Sequence, residues 1–191
     1  MSSADIDTLV LGIGNILWAD EGFGVRCVEE LNANWEFPRH VRLMDGGTQG
    51  MFLLPWISNV SRLLIFDAID FGLEAGELRI IRDDDVPQYM GAKKVSMHQT
   101  GFQEVLASAR LLRGRPEQLA LIGVQPEMLD DFGGSLRDGT RRRIPEALES
   151  ACAVLQEWGI EACAREVPLA QIDLTGPGEL EMTSYELGRP V

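Results

Sequence analysis

Three side chains in this sequence have types and positions that could hold one metal ion: Glu21, Asp67 and His98. Two carboxylates and one imidazole leave coordination positions open, as a working site does and a closed structural site does not. These donors suit nickel, zinc or a similar borderline ion. Any metal site here must be rich in carboxylates, because His40 and His98 are the only histidines. Taken singly, each residue has a plainer explanation. Asp67 would cap a strand end, Glu21 would favour the positive end of a helix, and His98 would be an ordinary surface histidine. What sets the three apart is a shared place in the fold.

That place follows from the pattern of elements. Residues 8–13 form a short apolar run ending in glycine, as a buried parallel strand does. Helical spacing follows over 23–35, with Val25, Val28, Leu31 and Trp35 on one side. Residues 41–44 predict a second strand, closed by Asp45-Gly46-Gly47-Thr48. Residues 51–57 predict a helix that Pro55 limits. Residues 62–68 contain Leu-Leu-Ile-Phe, the strongest buried strand, and 77–82 alternate as an exposed edge strand does. Residues 96–113 predict a helix whose Ser96-Met-His-Gln99 fits a capping box, 118–125 another buried strand, and 141–158 a final helix with Pro145 near its start. Between them, 83–95 and 131–139 read as long polar loops able to flank a groove.

Alternating strands and helices predict an α/β fold: a single three-layer domain with a twisted, mostly parallel sheet of about five strands and helices on both faces. Ligands bind such sheets beyond the carboxyl ends of the strands. Glu21 follows the first strand and Asp67 ends the strongest one. His98 falls in the first turn of the capped helix, where the helix start disfavours imidazolium and leaves a neutral, coordinating ring. The domain is expected to span residues 1–166, and 167–191, without periodicity, to form a poorly ordered extension.

Composition narrows the partners. Across 191 residues, 30 acidic and 17 basic side chains give a net charge of −13, which repels nucleic acid and anionic membranes. No apolar stretch approaches the ~20 residues of a membrane span, and the first residues do not read as a signal peptide. Cys27, Cys152 and Cys163 include no Cys-x-x-Cys pair, and all three read as small core residues. The cytoplasm is the expected compartment. Gly12-Ile-Gly14 invites a dinucleotide-binding reading, with Asp45 as the ribose acid, but Leu17 stands where a third glycine is wanted. Asp20 and Glu21 would also repel a pyrophosphate. His-Glu-x-x-His, Gly-x-Ser-x-Gly and phosphate-loop patterns are absent.

Four motifs in order carry a resemblance: Leu11-Gly-Ile-Gly-Asn-Ile-Leu-Trp-Ala-Asp-Glu-Gly-Phe-Gly-Val25, Asp45-Gly-Gly-Thr-Gln-Gly50, Phe66-Asp-Ala68 and Ser96-Met-His-Gln99. Over about residues 8–165 the chain resembles the nickel–iron hydrogenase maturation endopeptidases. The resemblance implies a soluble cytoplasmic protease, aspartyl-type or metal-dependent. It would remove a short C-terminal peptide from the hydrogenase large-subunit precursor after nickel insertion. It also implies metal binding by Glu21, Asp67 and His98, and substrate handling by Asp45, Gly46, Gly47 and Thr48. The tail suggests a member serving a membrane-bound uptake hydrogenase. The expected partners are the precursor and other maturation proteins, and the expected cofactor is nickel supplied by the substrate, for which another divalent ion can stand in when the protein is isolated.

A metal ion polarises a carbonyl and lowers the pKa of bound water, so no protein nucleophile is required. Glu21 as general base is the alternative for the water. A rival function is a non-catalytic, chaperone-like module recognising the nickel-loaded precursor with the same three residues.

Overall fold

The computed structural model describes residues 6–92, 97–112, 114 and 116–169, with backbone alone for 90–92 and 97–101. Its elements in chain order are β1 (Thr8–Ile13), α1 (Phe23–Asn34), β2 (Trp35–Glu36), β3 (Val41–Gly47), α2 (Leu54–Ile57), β4 (Arg62–Ala68), β5 (Leu78–Arg82), α3 (Val86–Ala92), α4 (Met97–Leu111), β6 (Gln118–Val124), α5 (Asp138–Arg141), α6 (Ile144–Glu157) and β7 (Cys163–Ala164). The main sheet runs β3–β1–β4–β6–β5. Its first four strands are parallel, and β5 is the antiparallel edge. The expected three-layer α/β domain with a five-stranded sheet is what forms.

Both faces of the sheet are covered, so its central strands are apolar on both sides. On one face Val10, Leu64, Phe66, Ile122 and Val124 pack with Phe23, Val28 and Leu31 of α1 and Leu148, Ala151 and Leu155 of α6. On the other, Leu9, Leu11, Leu63, Ile65 and Leu121 pack with Phe102, Val105 and Ala109 of α4. After β1 the chain moves outward to β3, then returns past β1 to β4. The carboxyl ends of β1 and β4 therefore flank a topological switch point, where open α/β sheets hold ligands.

Several local expectations are revised. The helical spacing through Trp35 overran α1. Trp35 is extended (φ −127°, ψ 153°) and pairs with Ala164 in a small second sheet. Residues 83–95 are not one long loop: a 3-10 turn (Asp83–Asp85) leads into α3, anchored by Leu119 N–H donating to Asp83 Oδ1 at 3.0 Å. Residues 51–57 split into a 3-10 turn (Gly50–Leu53) and the short α2. The last helix starts at Ile144, with Pro145 in its first turn, where the missing N–H costs nothing. Of the cysteines, only Cys27 is buried; Cys152 is half-buried and Cys163 exposed. The expected Ser96 cap and most of the expected extension, residues 170–191, lie outside the described residues. Leu169 N–H still donates to Ala33 O at 3.0 Å.

Candidate active site

Glu21 is carried on a closed loop after β1. Asn15 N–H donates to Glu21 O at 3.1 Å, and Glu21 N–H donates to Trp18 O at 2.9 Å. Gly14 makes this closure possible. Its φ is +134°, and a Cβ there would lie 1.8 Å from Glu21 O. The 3-10 turn Ala19–Gly22 then feeds α1, whose first turn lies directly on the strand ends. A Cβ on Gly24 would lie 2.2 Å from Phe66 O and 2.3 Å from Ile13 O. Glu21 itself is half-buried.

Asp67 follows Phe66 and is fully buried. It pairs in register with Gly123 of β6, and its Oδ1 accepts from Ala68 N–H at 2.8 Å. Side chains alternate along a strand, so the face that takes Leu63 and Ile65 also takes Asp67. That is the α4 face. With 15 residues at about 1.5 Å rise, α4 matches the length of a seven-residue strand at about 3.3 Å per residue. Its carboxyl end leads to the amino edge of the sheet, where Glu117 N–H donates to Ser61 O. Its first turn, with His98, therefore stands at the carboxyl edge, and α4 packs against the turn Gly50–Leu53. The His98 side chain is outside the description. Among the described residues no group of three His, Cys, Asp or Glu side chains is assembled to hold a metal.

Residues 45–48 border the Glu21 loop, and β3 runs on through Asp45–Gly47 instead of closing at residue 44. β3 and β1 change register between Gly12 and Ile13, and Gly14 N–H donates to Gly47 O at 3.1 Å. Asp45 Oδ1 accepts from Gly47 N–H at 2.8 Å. Burial raises the Asp45 pKa above its ordinary value, and the Gly47 amide and Arg26 partly counter it. Gly46 is buried beneath the loop and Thr48 is exposed at its tip.

Two organising side chains were not singled out from the sequence. Asp20 is fully buried, and its carboxylate accepts from Glu127 N–H (2.8 Å), Met128 N–H (3.0 Å) and Arg137 N–H (2.8 Å). The other is Gln125, at the end of β6. Its Oε1 accepts from Phe71 N–H (2.8 Å) and Leu73 N–H (3.1 Å), and its Nε2 donates to Asp70 Oδ1 (3.2 Å). Adjacency of Asp20 to Glu21 was the available signal, since two neighbouring carboxylates in one tight turn seldom face the same way. The loop 131–139 is correspondingly not a free polar flank. Gly133 N–H donates to Leu17 O, Ala19 N–H to Gly134 O, and Trp18 meets Phe132 edge-to-face at 5.2 Å.

Buried and half-buried carboxylates at the switch point of a parallel sheet, under braced loops, make this the candidate site of an α/β enzyme. Residues 25–154 match the hydrogenase maturation protease (HycI) family. The chain is 54% identical to the hydrogenase expression/formation protein HoxM of Azotobacter vinelandii over 95% of this chain and 86% of that protein. It is 43% identical to the hydrogenase 2 maturation protease of Escherichia coli over 83% of this chain and 96% of that one. The solved hydrogenase maturating endopeptidase HybD from E. coli superposes with a TM-score of 0.80 at 41% identity, covering 84% of this chain and 98% of that one. The chain belongs to the hydrogenase maturation protease family and is an endopeptidase of that family. No helix among the described residues is long and apolar enough to cross a membrane.

Proposed function

We propose that this endopeptidase removes the C-terminal peptide of the nickel-loaded large-subunit precursor of a nickel–iron hydrogenase, in the cytoplasm, and that the hydrogenase is of the membrane-bound uptake type. In this reading the nickel is substrate-borne. Glu21, Asp67 and His98 address it, and residues 45–48 lie against the peptide. The donor chemistry fits, since two carboxylates and an imidazole suit nickel and leave positions open for the substrate's own ligands. Bound nickel would supply Lewis acidity at the scissile carbonyl. Glu21, half-buried, is the carboxylate able to take a proton from water. Asp67, fully buried and tied to Ala68 N–H, is fixed in place as a ligand should be.

The observation that carries the reading is the meeting of the Glu21 turn with the end of β4 through Gly24 and Phe66. The test is to incubate the purified protein with nickel-loaded and with nickel-free precursor and to weigh the precursor's C-terminus by mass spectrometry. Cleavage of the nickel-loaded form alone is expected. Equal cleavage of both would sink the nickel reading, and an unchanged mass would mean recognition without cleavage.

A further inference from the structure

The acidic pair Asp20–Glu21 divides its work. Asp20 is fully buried, and its carboxylate is the common acceptor for three backbone amides, those of Glu127, Met128 and Arg137. All three belong to the loop 126–137 that leaves β6. In the sheet β6 lies on one side of β4 and β1 on the other. A loop that starts at β6 and is tied to the turn after β1 must therefore pass across the end of β4, where Asp67 sits. It is held there by its backbone as well, through Asp20 N–H to Met128 O at 3.1 Å and Ala19 N–H to Gly134 O at 3.0 Å.

We infer that Asp20 is a positioning residue: its carboxylate clamps the loop 126–137 across the end of β4 as one wall of the substrate cleft. The inference deepens the proposed function and rests on it for the identity of the substrate. Glu21 has backbone bonds within its own loop, from Asn15 N–H and to Trp18 O, that the Asp20 carboxylate does not make. Loosening the clamp therefore leaves the chemical groups placed while the substrate has to order its own wall. When the competent state is only partly populated, apparent affinity falls by that fraction. The expected signature is a raised KM and an unchanged kcat.

Asp20→Asn keeps the shape but puts an amide N–H₂ against at least one backbone N–H, so it removes acceptors without opening a cavity. Three readouts on the full chain decide the matter. Amide hydrogen exchange should speed up at residues 127, 128 and 137 and stay unchanged in β1 and β4. Affinity for the nickel-loaded precursor should fall by about tenfold, the size expected for loss of one charge-assisted hydrogen bond. KM should rise by the same factor, with kcat held. Unchanged exchange at the three amides, or unchanged affinity, would overturn the inference.

Should Asp20→Asn not fold, Arg137→Pro against Arg137→Ala asks the same question. Arg137 has φ −64°, which proline adopts, so proline removes the amide donor to Asp20 without twisting the chain. Both variants lose the Arg137–Asp131 ion pair (2.8 Å), so their difference reports the clamp. Equal affinities for the two would overturn it. The binding readout stands apart from cleavage. A wild-type protein that bound the precursor without cutting it would contradict the proposed function and still test the clamp.

Discussion

Gly24 and Phe66 are in backbone contact, and a Cβ on Gly24 would stand 2.2 Å from the Phe66 carbonyl oxygen. This contact seats α1 on the strand ends and brings the turn bearing Glu21 beside the residue that precedes Asp67. Gly24→Ala must push the helix off two backbone oxygens, which cannot rotate away as a side chain would. Overpacking of this kind costs roughly 1–3 kcal/mol, and the rigid obstacles put this case at the upper end. A denaturant midpoint close to wild type would show that the contact is slack. Processing should fall further than stability, because the displaced turn carries Glu21.

Glu21→Gln, Asp67→Asn and His98→Ala are expected to abolish or nearly abolish processing while circular dichroism stays native. Under the proposed base role of Glu21, its loss is worth about 10²–10⁴ in rate. Asp67→Asn keeps an oxygen for Ala68 N–H, so the strand end survives. Normal turnover by Asp67→Asn and His98→Ala together would dismiss the three-residue centre.

Much of this arrangement was legible because buried parallel strands read as unbroken apolar runs. Thr8–Ile13 and Arg62–Ala68 stand out for that reason, and a carboxylate at such an end is conspicuous. Asp20 was not legible as a clamp, since its partners lie 107 to 117 residues downstream and local spacing does not say which of two adjacent carboxylates turns inward. Trp35 continued the helical period of Val28 and Leu31, yet the pairing of Trp35 with Ala164 makes it a strand. The acidic run Asp83–Asp85 looked like a solvated loop. Its first residue has φ 47° and ties back to Leu119, contacts that charge patterning does not encode.

Gln125 joins the segment after β4 to the end of β6 through Phe71, Leu73 and Asp70. Gln125→Leu keeps the bulk but takes an acceptor from two half-buried amides, that of Leu73 and that of Phe71, which still donates to Ile69 O, a loss of about 1 kcal/mol. Gln125→Glu should behave differently. It keeps the acceptor and faces Asp70 with a second negative charge, so its destabilisation should shrink as pH falls and the pair protonates. Urea unfolding at pH 7.5 and at about pH 5, bracketing the titration of a paired carboxyl, separates the two variants. Identical pH profiles would mean that Asp70 does not feel residue 125.

Asp45 provides a second pH test. Burial raises its pKa above the ordinary 3.8, so the folded state holds this proton more tightly than the unfolded chain does. The sign follows from linkage. The stabilising contribution is fully present below the unfolded value and is lost as pH rises through the folded value. At neutral pH the charged Asp45 is therefore a cost. Asp45→Asn keeps an oxygen for Gly47 N–H and should be more stable than wild type at pH 7, with the advantage fading toward pH 4. A constant difference across that range would show that the Asp45 charge carries no burial cost. A gain in stability with a loss of processing would mark Asp45 as kept for substrate rather than for the fold.

The thiols should separate by environment. Burial first, and Glu30 second, raise the Cys27 pKa well above its ordinary value, and no part of its side chain reaches solvent. Burial and then Glu149 raise Cys152 as well, while Cys163 lies exposed on β7. Only the thiolate attacks an alkylating reagent, so rate follows both ionisation and access. Iodoacetamide should label Cys163 first, Cys152 more slowly, and Cys27 only after unfolding. Peptide mass spectrometry over a time course reads this order. Labelling of Cys27 as fast as Cys163 would mean that α1 lifts from the sheet in the native state. The clasp between Gly24 and Phe66 would then be open for much of the time, and the Glu21 turn would be a moving part instead of a fixed one.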